Sequence, residues 1–177
     1  MIKNIVGRHE EITLLKGKLY SVSAEFIAVY GRRRVGKTYL INQFFSEQTG
    51  IYFEQTGLND GSLQQQLSVF SEQLSQTFYN GISLTPPKNW MEAFQKLTVA
   101  IDDLPKNKRV ALFFDELPWL ATPKSGFVKA LGHYWNTKWT NRKKLILIVC
   151  GSAASWMLEN IVYSKGGLHN RITAKIP

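Results

Sequence analysis

Gly31-Arg32-Arg33-Arg34-Val35-Gly36-Lys37-Thr38 decides how the rest of the chain is read. The stretch fits the pattern G-x-x-x-x-G-K-[ST] at every fixed position. Its flanks are those the pattern needs. Phe26-Ile27-Ala28-Val29-Tyr30 reads as a buried strand running into the loop. Lys37 to about Phe45 reads as the helix leaving it, with Leu40, Ile41, Phe44 and Phe45 facing inward. Glycines let such a backbone wrap phosphate groups with its N–H groups aimed inward. The helix N-terminus adds about half a positive charge where the anion sits. Lys37 is therefore expected to reach the β- and γ-phosphates of a nucleotide, and Thr38 to offer its hydroxyl to Mg²⁺. Tyr39 is grouped with the loop as a nucleotide-contacting position. Of Arg32, Arg33 and Arg34, one clamps a phosphate or contacts a partner, or all three point to solvent.

Downstream, apolar runs alternate with helical patterns. Residues 51–54 and 110–115 read as strands, and residues 145–150, Leu145 to Cys150, form a uniformly apolar strand covered on both faces. Helices are expected over 8–20, 62–79, 89–103, near 124–139 and around 153–160, with Thr85-Pro86-Pro87 as a breaker. A last extended piece runs from Arg171 to Ile176. This alternation indicates a three-layer α/β fold with a mainly parallel sheet.

Asp115-Glu116 closes an apolar strand and is carried to the sheet edge where the phosphate loop also lies. Asp115 is expected to hold Mg²⁺ through water. Glu116 is expected to orient and polarise the attacking water, which makes hydrolysis the natural chemistry. Ser152, at the end of the next strand, is placed either to touch the γ-phosphate or lytic water, or to cap the following helix. Arg171 is placed either to complete a neighbouring subunit's site or simply to face solvent. Cys150 reads as core, and so do Trp90, Trp135 and Trp139, as core or interface.

Composition bounds the alternatives. The 177 residues suit one domain spanning 1–177, and ten Phe, seven Tyr and five Trp supply a core. No apolar run approaches the roughly 18 residues of a membrane helix. The stretch Met1 to Arg8 is too mixed for a signal peptide. A single Cys permits no internal disulfide, which fits a reducing cytoplasm. Three His and one Cys disfavour a zinc site. The net charge of +9 suits a nucleotide, a nucleic acid or an acidic partner. Asn107-Lys108-Arg109 and Asn141-Arg142-Lys143-Lys144 are the candidate patches for nucleic acid. Both precede strands, at the edge opposite the phosphate loop, and such patches are usually solvated loop charges.

Ile5-Val6-Gly7-Arg8-His9-Glu10-Glu11 resembles the F-x-G-R-x-x-E opening of AAA+ and STAND-type ATPases. With Gly31–Thr38, Asp115-Glu116-Leu117-Pro118-Trp119-Leu120 and Leu147-Ile148-Val149-Cys150-Gly151-Ser152-Ala153-Ala154-Ser155-Trp156-Met157, the chain resembles the archaeal-type ATPase family along essentially its whole length. The resemblance implies a sheet of order 5-1-4-3-2, binding of ATP or ADP with Mg²⁺, and a role near the adenine for the segment containing Arg8. It carries Lys37, Thr38, Asp115, Glu116 and Ser152 over to nucleotide chemistry. Members of that family usually continue into a helical lid and further C-terminal regions, which this sequence is read as lacking; self-association is a separate expectation, in line with a place for Arg171 in a neighbouring subunit's site. A GTPase is disfavoured, because Asn136-Thr137-Lys138-Trp139 lacks the guanine-reading aspartate. A small-molecule kinase lacks a clear lid. A nucleic-acid-binding module using ATP as a switch is the other alternative.

Overall fold

The computed structural model describes Ile5 and residues 7–177; Val6 of the opening motif, and residues 1–4 of the stretch weighed as a signal peptide, lie outside the described residues. Five strands form one sheet: β1 (Glu25–Tyr30), β2 (Ile51–Thr56), β3 (Val110–Asp115), β4 (Leu145–Gly151) and β5 (Ala174–Ile176). The order is β2-β3-β4-β1-β5 with every pairing parallel, the order the family resemblance implies, written from the other edge.

Alternation along the strands builds two cores. Phe26, Ala28, Leu112, Phe114, Leu147 and Val149 face one side. Ile27, Val29, Ala111, Phe113, Ile148 and Cys150 face the other. Both sides are covered, which is why the central strands read as continuous apolar runs. The first side carries α3 (Leu63–Phe78), α4 (Trp90–Asp102) and α6 (Phe127–Thr137), and it is strongly aromatic. Trp90 meets Phe127 edge-on at 4.8 Å and Phe94 meets Trp139 at 5.4 Å. The buried Trp139 indole donates to Thr98 Oγ1 at 2.9 Å. Trp90, Trp135 and Trp139 are thus core. The second side carries α1 (His9–Leu19) and α2 (Lys37–Ser46), with Leu15, Leu19, Leu40 and Phe44 buried.

Helix ends follow local chemistry. Ser62 and Gln65 form a reciprocal capping box on α3, and Asn89 accepts from the Glu92 N–H to start α4. The helix expected near 124–139 is shorter. Gly126, at φ 71°, lies just before Phe127, and after Thr137 the chain turns once through Trp139–Asn141 in 3₁₀ form. A one-turn helix, α5 (Leu117–Leu120), follows β3 directly, where no helix was expected. The helix expected around 153–160 divides into α7 (Ala154–Met157) and a wider π-helical turn, Leu158–Val162.

β2 runs two residues further than expected, to Thr56, and β5 starts later. Arg171 does not begin that strand. Its N–H closes a turn onto the Leu168 carbonyl, and Thr173 makes the first bonds to Phe26, so pairing with β1 begins only at Ala174. No helix among the described residues is long and apolar enough to cross a membrane.

Candidate functional site

Because all strands run parallel, β1, β3 and β4 deliver their C-terminal ends to one edge. A cleft there, about 360 Å³ in volume, is lined by Arg33, Arg34, Gly36, Lys37, Thr38, Tyr39, Asp115, Glu116, Trp119 and Ser152. The phosphate loop bends sharply. Gly36 takes φ 81°, and Arg34 takes φ 61° although it is not glycine. A β-carbon on Gly36 would meet nothing within 4 Å, so backbone conformation rather than space is what favours glycine there. The N-terminus of α2 receives no side-chain cap, which leaves its first N–H groups for an anion.

Lys37 is buried and donates its ammonium to two loop carbonyls, Gly31 at 3.0 Å and Arg32 at 2.5 Å. Asp115 shares the sheet face covered by α2, and there Thr38 Oγ1 donates to Asp115 Oδ2 at 2.5 Å. Asp115 also accepts from the Glu116 N–H through its other oxygen, at 2.8 Å. Cys150 lies beneath these groups. Burial pushes its thiol far above the usual range and nearby Asp115 adds to this, so it stays protonated.

Glu116 departs from the strand at φ 48°. Such a conformation costs a non-glycine residue on the order of 1–3 kcal/mol, and here it sets the carboxylate against β4. Ser152 Oγ donates to Glu116 Oε2 at 3.0 Å, and Arg33 Nε donates to Ser152 Oγ at 3.3 Å. The Arg33 guanidinium lies 5.2 Å from the centre of the Trp119 ring. Arg33 is exposed, yet it turns back into the cleft, whereas Arg32 contributes its carbonyl to Lys37. Ser152 does not cap α7, whose N-cap position is Ala153.

Arg8 joins the outer turn of the loop. Its Nη2 donates to the Val35 carbonyl at 2.5 Å and its Nη1 to Glu11 at 2.7 Å. The Arg8 bond holds the Glu11 carboxyl below the usual range. Arg171 is exposed in the loop ahead of β5 and does not line the cleft. Asn136 donates its side-chain amide to the Gly167 carbonyl at 2.6 Å, so the segment weighed as a base reader has that group engaged.

Two features lie beyond what the motifs indicate. Trp119 lines the cleft from α5, whose Trp119 carbonyl accepts from the buried Gln66 amide at 3.2 Å. Glu54, on β2, accepts from Asn42 Nδ2 at 3.1 Å, while Tyr52 donates to Asn42 Oδ1 at 2.5 Å. Burial raises the Glu54 carboxyl above its usual range despite the Asn42 bond, and Asp115 raises it further. The alternation of Tyr52 and Glu54 within an apolar strand was the available signal.

Residues 5–176 match the model of a family described as an ATPase domain predominantly from Archaea. An uncharacterised protein of Methanocaldococcus jannaschii is 27% identical over 168 residues, covering 95% of this chain and 34% of its own length. An uncharacterised ATP-binding protein of the same archaeon is 46% identical over 43 residues, 24% of this chain and 73% of its own. The chain therefore spans about a third of the longer relative. Among solved structures, a Walker-type ATPase of Pyrococcus abyssi aligns with TM-score 0.58 at 22% identity, covering 97% of this chain and 53% of its own. Cdc6p from Pyrobaculum aerophilum aligns with TM-score 0.58 at 15% identity, covering 97% and 46%. At these identities the structural likeness establishes the fold.

Proposed function

Because the chain belongs to the family of ATPase domains found predominantly in Archaea, we propose that its cleft binds ATP with Mg²⁺ and directs water onto the γ-phosphate. The ATP-binding P-loop character follows from the family; the assignment of individual residues is our reading of the cleft. The observation that carries it is the meeting of Thr38 and Asp115, 77 positions apart in sequence, at 2.5 Å beside the Lys37 ammonium.

The residues fit the cofactor. A hydroxyl and a carboxylate at the mouth of a phosphate loop are the hard oxygen donors that Mg²⁺ accepts, with waters completing its shell. Bound by Thr38 and Asp115, Mg²⁺ would neutralise charge on the β- and γ-phosphates.

The loop N–H groups and the α2 N-terminus hold the phosphate oxygens. Lys37 transfers its hydrogen bonds from the Gly31 and Arg32 carbonyls to the phosphates. Glu116 accepts a proton from water as the water oxygen attacks the γ-phosphorus, and the bond to the ADP oxygen breaks, giving ADP and phosphate. Ser152 holds and aims the Glu116 carboxylate. Arg33, within reach of the same hydroxyl, offers positive charge toward the γ-phosphate. Arg8 braces the loop from outside through Val35. Arg171 has no place in this cleft; a role for it requires a second copy. In the longer relatives this domain forms part of a larger protein, and the same cleft is proposed to supply their ATP turnover.

Mg²⁺ dependence of ATP affinity tests the assignment. In the wild type, Mg²⁺ should strengthen ATP binding, and Asp115→Asn should lose most of that gain while still binding metal-free ATP. An Asp115→Asn protein with the full Mg²⁺ gain would remove Asp115 from the cofactor site.

A further inference from the structure

The opposite end of the sheet carries a second concentration of charge. The turns leading into β3 and β4 there form two hollows. One is lined by Asp102, Lys106, Lys138, Asn141, Arg142 and Lys143. The other is lined by Thr49, Gly50, Asn107, Lys108, Arg109 and Lys144. Consecutive residues, Lys143 and Lys144, contribute one to each, so the hollows adjoin.

Arg142 is the unusual member. The sequence leaves it either in a nucleic-acid patch or among solvated loop charges; in the fold it is only 8% exposed. Its Nη2 donates to the Pro105 carbonyl at 3.1 Å, while the buried Nε and Nη1 find no hydrogen-bond partner among the described residues. Nε of Arg109, in the neighbouring hollow, is also buried and unpartnered. The carboxylate lining the first hollow, Asp102, sits 3.7 Å from Lys106 and is largely exposed. Burial disfavours the Arg142 charge, and Asp102 opposes this only in part. A guanidinium buried with two unmet donors keeps uncompensated positive charge beneath the hollow, which a phosphate seated at its mouth offsets.

We propose that these adjoining hollows are a phosphate-binding site that takes the sugar–phosphate backbone of a nucleic acid. Two basic hollows joined by Lys143 and Lys144 suit a ligand with repeated phosphates better than a single small anion. Beside Arg109 lies the ring of Tyr20, 74% exposed and 5.8 Å from the guanidinium, which offers a face on which a base can stack. The chain's net charge of +9 draws a polyanion toward it.

Fluorescence anisotropy of labelled single-stranded and duplex oligonucleotides, titrated with the full chain across a salt series, tests the site. The wild type should bind at low salt, with affinity falling linearly in log–log form as salt rises. The exposed pair Lys143→Glu/Lys144→Glu should weaken binding by about tenfold or more and flatten the salt slope by roughly two. A control reversal outside both hollows, Lys124→Glu/Lys165→Glu, should keep most of the affinity at the same net charge. Arg142→Gln should weaken binding similarly. Should that variant melt early, the lysine pair, checked by thermal unfolding, decides the matter alone. Absence of binding at low salt, or equal weakening by the control pair, would overturn the proposal. So would full displacement of the oligonucleotide by inorganic phosphate at equal phosphate concentration, which would leave a small-anion pocket. Displacement by polyglutamate at equal charge would point instead to an acidic protein.

Discussion

The two ends of the sheet handle charge in opposite ways. At the C-terminal ends of the strands, donors and acceptors are mixed. Lys37, Thr38, Asp115, Glu116, Ser152 and Arg33 bond to one another or to loop carbonyls at 2.5 to 3.3 Å. At the N-terminal ends, cations collect around Arg142 and Arg109, with buried nitrogens left unpaired. A mixed-sign site compensates itself and can hold its geometry in advance of a ligand, which is what an electrostatic catalyst needs. A site where lysines and arginines outnumber one exposed carboxylate, Asp102, is compensated mainly from outside, which suits docking of a polyanion rather than chemistry on one. The first end is therefore where the proposed ATP chemistry is placed.

The largest effect that would break this contrast concerns Glu116. Glu116→Gln should leave ATP affinity nearly unchanged but lower hydrolysis by about 10²–10⁴-fold. Phosphate release in single-turnover conditions measures it. A rate within roughly threefold of wild type would mean that the carboxylate is not the base.

A smaller effect is expected at Ser152, whose hydroxyl donates to the Glu116 carboxylate. Ser152→Ala should lower kcat by about tenfold, the value of one aligned hydrogen bond, with KM little changed. Ser152→Thr should restore part of the rate. An unchanged kcat with a raised KM would instead make Ser152 a ground-state phosphate ligand.

Smallest is the effect at Glu54, which refines the boundary of the mixed-sign region. Its carboxyl is raised above the ordinary 4.5, chiefly by burial. The folded protein thus holds this proton more tightly than the unfolded chain does. Stability from this group is complete below the unfolded pKa and is lost as pH rises through the folded one. Glu54→Gln should therefore be the more stable form at neutral pH, with the difference closing as pH falls below about 4.5. Denaturant midpoints across that range measure it, and a less stable variant at neutral pH would show that the charged Glu54 is favoured in the fold.

The parts of this picture that were legible in the sequence are contiguous. Gly31–Thr38 announces itself because its strand and helix flanks are adjacent, and Asp115-Glu116 because five apolar residues, Val110 to Phe114, precede it. The strand order came from family resemblance. What stayed hidden depends on distant segments meeting. Arg33 and Ser152 are 119 residues apart, so nothing local distinguishes Arg33 from its two neighbours. The buried Arg142 donates to the Pro105 carbonyl, 37 residues away, a meeting that local pattern does not reveal. Arg171 falls ahead of β5 rather than at its start because that strand pairs over only three residues, and the Thr173 bonds to Phe26 set where the pairing begins. Trp119 stood within a quoted motif, but its place beside Arg33 depends on α5, a single turn that period counting cannot detect.

Calorimetric titration of ATP and of GTP with Mg²⁺, into the wild type and Lys37→Ala, tests the central claim most directly. ATP should bind in preference to GTP, with an affinity on the order of a hundredfold lower once the buried ammonium is removed. Equal affinity of Lys37→Ala and wild type for ATP would contradict it, because the nucleotide would then be held somewhere other than the phosphate loop.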